Sequence, residues 1–163
     1  MEMGRAARDP WVWGQLLLLM LVGVGVPLLT RINLGPLDPI LGRLDPVALR
    51  RVGWLAIAAG MGLMGWGARS LGPGLTPSIE PPAEARFITT GPYARIRHPI
   101  YTGLILVLGG YTWLSSNWRM ALLVIGVASL YLGAKANAEE RWLVQRFPDY
   151  PGYRQRVPKL WPW

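Results

Sequence analysis

Cysteine is absent from this 163-residue chain, histidine occurs once, and nine acidic residues face seventeen lysines and arginines. Without cysteine there is no disulfide, no thiolate metal site and no cysteine nucleophile; the redox compartment stays open. No Ser/His/Asp set, phosphate-cradling loop or metal cluster can be read from the sequence, so no metal is expected and elaborate acid–base machinery is disfavoured. Charge is scarce as well, at 16% of residues against 52% apolar, with nine tryptophans, and that balance points to a membrane protein. The formal charge of +8 admits nucleic acid, anionic lipid or topology signals. In so apolar a chain topology explains it best. The aromatics then belong to an interfacial belt and to packing, and no nucleic-acid partner is expected.

Trp11 to Leu29 carries no charge over nineteen residues, close to the ~20 that cross a bilayer core, and predicts a first span. A signal peptide fits less well, because the run is long and "TRIN" follows in place of a small-residue cleavage site. Gly53 to Ala68, extended back through Val47, predicts a second span. Ile100 to Leu114 and Met120 to Ala134 predict a third and fourth, and the short connection "SSNWR" makes them an antiparallel hairpin. Ser70 to His98 carries five of the fifteen prolines, which predicts an extended or turning loop. Lys135 to Phe147 continues the fourth span as a helix that Pro148 ends, and the tyrosines and tryptophans beyond suit the membrane interface.

The expected fold is therefore all-α: an integral membrane bundle of about four transmembrane helices with a cytoplasmic C-terminal helix and tail. It reads as one membrane domain, 1–163, with two N-terminal spans in 1–70 and a second half from 71 to 163. With both termini on one side, that side holds Arg5, Arg8, Arg69, Arg86, Arg95, Arg97, Lys135, Arg141, Arg146, Arg154, Arg156 and Lys159. The other holds Arg31, Arg43, Arg50, Arg51 and Arg119. The asymmetry predicts cytoplasmic termini. "GMGLMG", Gly60 to Gly65, matches a dinucleotide fingerprint literally but lies inside an apolar span. Gly53, Ala56, Gly60 and Gly67 read instead as close helix packing.

"GPYARIRHPIYTG" places the single histidine before Pro99. Proline favours the first helical position and pushes the residue before it out of helical space, so His98 is expected at the cap of the third span. The free N–H groups of the first turn, Arg97 and Arg95 then suit a carboxylate or phosphate. A plain capping turn with arginines reaching toward lipid headgroups is the structural alternative. Tyr101 adds a hydroxyl or ring face, and Gly103 leaves room for a ligand or a neighbouring helix. Glu139 and Glu140 end the fourth span, beside the start of the third; adjacent carboxylates there call for cations or a water-filled cavity. Arg146, seven residues after Glu139, offers a local ion pair as the structural alternative. Together these residues present both partners of an amino-acid zwitterion.

"GPYARIRHPIYTG", "EERWLVQRF" and "YPGYRQRVP", with the loop "LGPGLTPSIEPPAEARFITTGPY", resemble the isoprenylcysteine carboxyl methyltransferase and phospholipid methyltransferase superfamily. The shared pattern is GPY-x3-RHPxYxG, a helical hairpin, E-E-x2-L-x3-F and Y-x3-V-P. It covers Leu71 to Pro162; Pro148 stands where a glycine is usual, and the N-terminal half gives no specific match. The resemblance implies S-adenosylmethionine bound from the cytosol. Arg97, His98, Pro99 and Tyr101 match the RHPxY part of its site and Glu139 and Glu140 its acidic pair, with Gly103 nearby and the sulfonium near Tyr93 or Tyr101.

The implied acceptor is a lipophilic or prenylated molecule entering from the bilayer, of the isoprenylcysteine-carboxylate kind, oriented by Arg146 or Arg156. Glu140 and Arg146 are the expected catalytic groups, a glutamate removing a proton if the acceptor is an amine. Other acceptors, amine or thiol, stay open. So do a sterol-reductase-like oxidoreductase, whose relatives are much larger, and a non-catalytic membrane scaffold. The oligomeric state is not legible.

Overall fold

The computed structural model describes residues 9–30, 46–80, 85–115 and 118–161. Arg5, Arg8, Arg31 and Arg43 of the topology count, and Ser116 and Asn117 of the hairpin connection, lie outside them. The described residues form helices joined by turns, with no strand among them. α1 (Pro10–Met20) runs through a π-helical turn, Leu21–Gly25, into α2 (Val26–Thr30); α3 is Pro46–Leu71, α4 Pro99–Ser115, α5 Trp118–Arg146 and α6 Tyr150–Arg156. Three stretches, Pro10–Leu28, Val47–Gly74 and Trp118–Arg146, are long and apolar enough to cross a membrane, which marks an integral membrane protein.

The second predicted span is longer than its apolar core, because α3 runs the full 26 residues from Pro46. α4 stands where the third was expected, but its 17 residues rise only about 25 Å, less than a ~30 Å hydrocarbon core. α5 joins the fourth span and the following helix into one element of 29 residues. It ends at Arg146 and not Phe147, because the residue before Pro148 is held out of helical space. The proline-rich segment contains two short 3₁₀ turns, Gly72–Gly74 and Gly91–Ala94. α6 was not foreseen: Pro151 and Gly152 obscure a helix of about two turns.

α4 is the shortest of the long helices and the most enclosed, packed most extensively on α3 and then on α5. The α3 seam depends on glycines. A Cβ on Gly60 would stand 2.5 Å from the Gly103 carbonyl oxygen, and one on Gly110 would stand 2.8 Å from that of Gly53. Backbone meets backbone there, so nothing can swing aside. Gly67 meets Pro99 and Ile100 in the same seam, in line with the packing reading of Gly53, Ala56, Gly60 and Gly67. On the other side of α4, Leu104, Ile105 and Leu108 join Leu18, Val22 and Val26 of the N-terminal helices with Val124, Ala128 and Leu132 of α5.

Asp9 fastens the start of α1 to the proline-rich segment. Its carboxylate accepts from the Trp11 amide at 2.9 Å, the Ser78 hydroxyl at 2.7 Å and the Ile79 amide at 3.0 Å. Burial raises the Asp9 pKa, but the Ser78, Ile79 and Trp11 bonds and the Lys135 charge outweigh it and hold the carboxyl below its ordinary value. The cap is thus also a tertiary clasp.

The seam predicts opposite outcomes for two glycines of one helix. Gly60→Val should destabilise by about 1–3 kcal/mol or more through overpacking. Gly62→Ala, where an added Cβ meets nothing within 4 Å, should be neutral or up to about 1 kcal/mol stabilising. Reversible unfolding in mixed micelles checks both.

Candidate functional site

The site forms where α3 ends, α4 begins and α5 ends, because a tight hairpin returns α5 to the start of α4. His98 precedes Pro99 and accepts the Thr102 amide at 3.1 Å on its carbonyl, which makes it the residue that caps α4, as its place before proline implies. Its side chain, however, faces carboxylates. Nε2 is 3.1 Å from Glu140 Oε1, and Nδ1 is 3.6 Å from Glu139 Oε2. Arg97 Nη1 reaches Glu140 Oε1 at 2.8 Å and Arg154 Nε reaches Oε2 at 3.3 Å. The two predicted poles of a zwitterion site are therefore largely joined to each other in one ion cluster.

Within that cluster the two glutamates differ. Glu140 is 2% exposed and sits among Arg97, His98 and Arg154, a buried anchor. Glu139 is 26% exposed, accepts from the Tyr101 hydroxyl at 2.9 Å, and lines a cavity of about 360 Å³. The Tyr101 ring stacks on His98 at 5.3 Å with an interplanar angle of 2°. Arg97 also lines the cavity, and its buried Nε has no hydrogen-bond partner. Its Nη1 meets Glu140 as an ion pair without hydrogen-bond alignment.

The C-terminal tail locks this arrangement. The amides of Arg97 and His98 donate to the carbonyls of Pro158 and Lys159 at 2.9 and 3.0 Å, and Thr102 donates its hydroxyl to the Leu160 carbonyl. α6 brings Tyr150 and Tyr153, both buried, against Phe87, which also stacks on Phe147 at 5.6 Å. The expectation that these tyrosines belong to the membrane interface is corrected here: Pro148 and Pro151 turn the chain back onto the cavity, where all four rings join Tyr93 in the lining. Tyr153 donates to the Tyr93 carbonyl at 2.6 Å. Burial, tempered by Arg97 and reinforced by Glu140, pushes the Tyr153 hydroxyl up to about 12. Burial, with Glu139 next, also raises Tyr93; burial, with Glu140 next, raises Tyr150.

Of the residues singled out in the sequence, Tyr93, Arg97, His98, Tyr101 and Glu139 line the cavity. Pro99, Gly103, Glu140, Arg146 and Arg156 do not. Gly103 packs on Gly60 and Met64 of α3, so of its two expected uses the structure realises the neighbouring helix. Arg146 lies 5.7 Å over the Phe147 ring, and Arg156 turns back to the Gly152 carbonyl at 3.2 Å. The sequence reading missed Phe87, Phe147, Tyr150 and Tyr153, and also Gln15 and Lys135, which line the same cavity. Gln15 carried a signal, as the one polar side chain in the run from Trp11 to Leu29.

The phospholipid methyltransferase family (PEMT) matches residues 49–150. The match begins inside α3, ahead of Leu71, so part of the N-terminal half does carry the likeness. The cobalt-zinc-cadmium resistance protein CzcN of Cupriavidus metallidurans is 34% identical over 76 residues, 46% of this chain and 35% of its own. Protein-S-isoprenylcysteine O-methyltransferase of Schizosaccharomyces pombe is 36% identical over 72 residues, 44% of this chain and 30% of its own. Methanethiol S-methyltransferase 1 of Bradyrhizobium diazoefficiens is 37% identical over 79 residues, 48% and 27% respectively. The chain thus spans about a third of the length of the curated relatives it matches. No solved structure matches it.

Two outcomes follow from the cluster and the aromatic wall. Glu140→Gln should cost about 3–5 kcal/mol, because it leaves the buried Arg97 guanidinium without its partner; equilibrium unfolding in micelles measures it. For Tyr153 the folded pKa lies above the unfolded value of about 10, so its contribution is intact below pH 10 and is lost as pH rises toward about 12. Tyr153→Phe should flatten the fall of stability across that window by up to about 1.4 kcal/mol per pH unit. Unfolding curves over a pH series test the slope.

Proposed function

Since this chain belongs to the phospholipid methyltransferase family, we propose that it is an integral-membrane methyltransferase that uses S-adenosylmethionine to methylate a lipophilic acceptor held in the bilayer. The observation that carries the reading is the cavity, in which a half-buried carboxylate, an arginine and a wall of aromatic rings line one space. That donor set fits an amino acid joined to a flat heterocycle. Glu139 holds the ammonium, Arg97 the carboxylate, and Phe87, Phe147 and Tyr150 offer ring surface to the purine. When bound, the cofactor supplies an electrophilic methyl group on a sulfonium.

The protein's contribution is position and dryness. Tyr93 offers its ring face to a cation, since the Tyr101 ring already lies against His98 and 5.5 Å from the Lys135 ammonium. His98, expected to hold an anion directly, instead orients the acidic pair from between the two glutamates, and Glu140 acts through Arg97 and His98 without touching the cavity. Leu71, Leu75, Ile88 and Ile100 give the cavity an apolar wall suited to an acceptor from the membrane. In this reading α4 completes a fourth span, and the excess of arginine and lysine on the side of both termini supports a cytoplasmic cavity. The acceptor is of the isoprenylcysteine-carboxylate kind, methylated on oxygen.

Calorimetric titration of the purified full chain with S-adenosylhomocysteine should show saturable binding. Glu139→Gln should weaken it by about tenfold or more, the loss of a charged hydrogen bond, while thermal stability changes little because that carboxylate is partly exposed. A folded protein that does not bind sinks the proposal. Incubation of native lipid extracts with methyl-labelled cofactor identifies the acceptor atom.

A further inference from the structure

Lys135 is a buried cation that the scheme above leaves without a task. It lies on α5 one turn before Glu139, is 1% exposed, and lines the cavity. Counting ~20 residues of span from Trp118 puts Lys135 at the inner edge of the hydrocarbon and the glutamates beyond it. Its ammonium donates to Gln15 Oε1 at 2.6 Å and to the Pro77 carbonyl at 2.8 Å, and stands 5.5 Å from the Tyr101 ring centre. All three partners are neutral, and Lys135 takes part in none of the ion pairs among the described residues. The acidic groups closest in its field, Glu139 and Asp9, attract it from a distance without forming an ion pair with it: Asp9 is hydrogen-bonded to Ser78, Ile79 and Trp11, and Glu139 to Tyr101.

A charge at this depth is costly unless it faces a cavity and meets a counter-charge. The other cations of the lining do not fill this position, since Arg97 is paired with Glu140 and Arg86 is exposed on the proline-rich segment. Lys135 is thus the membrane-side cation of a cavity whose water-side end holds Glu139. Resting on the methyltransferase reading, we propose that Lys135, oriented by Gln15 and the Pro77 carbonyl, docks the anionic head of the acceptor, which is a lipophilic acid that reacts as its conjugate base.

Such an acceptor also suits the chemistry available. A lone pair of its anionic oxygen or sulfur forms the new bond to the methyl carbon as the carbon–sulfur bond of the donor breaks and keeps its electrons on sulfur. Anion and sulfonium charges cancel, giving a neutral ester or thioether, and no proton has to leave. An amine would bring a like charge to Lys135 and require a base, whereas His98 is engaged with Glu140 and Glu139 with Tyr101. Gln15 lies outside residues 49–150, so half of this subsite comes from a segment that the family match does not cover.

The test is equilibrium binding of radiolabelled dodecanoate, methyl dodecanoate and dodecylamine to the full chain in nanodiscs. Lys135→Met should lower dodecanoate affinity about tenfold or more, leave methyl dodecanoate within about twofold, and leave S-adenosylhomocysteine within about threefold. Lys135→Arg should retain dodecanoate within about threefold. Gln15→Glu, which supplies an internal counter-charge with Lys135 in place, should lower dodecanoate affinity about tenfold, and it carries the test if Lys135→Met does not fold. Equal dodecanoate binding by wild type and the informative variant, or tighter binding of dodecylamine than of dodecanoate by wild type, overturns the proposal. Failure of the wild type to bind S-adenosylhomocysteine refutes the methyltransferase reading alone, because the dodecanoate comparison reads Lys135 without it. Mass spectrometry of products from equimolar dodecanoate, dodecanethiol and dodecylamine separates the sources: methyl on oxygen or sulfur supports the subsite, and methyl on nitrogen overturns it.

Discussion

The carboxylate of Glu140 holds together segments that the chain keeps far apart. Arg97 and His98 approach it from the start of α4 and Arg154 from α6, and all three meet it at the end of α5. A buried carboxylate is tolerated only when cations and hydrogen bonds replace its water, so these segments have to converge for any of them to be comfortable. The convergence creates the cavity as a consequence: α4 and α5 form one part of its wall, α6 turns its tyrosines into it, and the tail bonds to the backbone of Arg97 and His98.

That cluster sits on a frame with little freedom. The α3–α4 seam is closed by glycines whose backbones touch, and the opposite side of α4 is packed by leucine and isoleucine against α5 and the N-terminal helices. A shift of α4 along α3 would bring a Cβ onto a carbonyl, which fixes the height of His98 relative to the end of α5. The N-terminal helix is held at its start by Asp9 and farther along by Gln15, bound to Lys135, and by the Tyr131 hydroxyl on the Trp11 carbonyl. Residues distant from the ion cluster in sequence therefore complete the same cavity.

The helices were largely legible, because membrane spans are encoded by length and apolarity and their ends by proline and charge. The cap at His98 followed from Pro99 alone, and Gly53, Gly60 and Gly67 were rightly read as packing positions of α3 once their apolar setting was considered. The site was legible as a set of residues and illegible as a circuit. The sequence offered His98 and Arg97 as an anion site and Glu139 and Glu140 as a cation site; in the fold Arg97 pairs with Glu140 and His98 stands within hydrogen-bond distance of it, while Glu139, unlike Glu140, lines the cavity. Tyr150 and Tyr153 resembled interfacial aromatics, and Lys135 an ordinary cytoplasmic charge, because nothing local distinguishes an exposed side chain from one buried by a returning tail.

By itself the sequence determined that this chain forms apolar membrane helices, that its histidine caps one of them, and that basic and acidic groups meet at one end of a hairpin. Only the tertiary structure decided which charges cancel and which face the cavity. Helix formation depends on neighbours within a few residues, whereas neutralisation depends on distances of a few ångströms between groups some forty to a hundred and twenty residues apart.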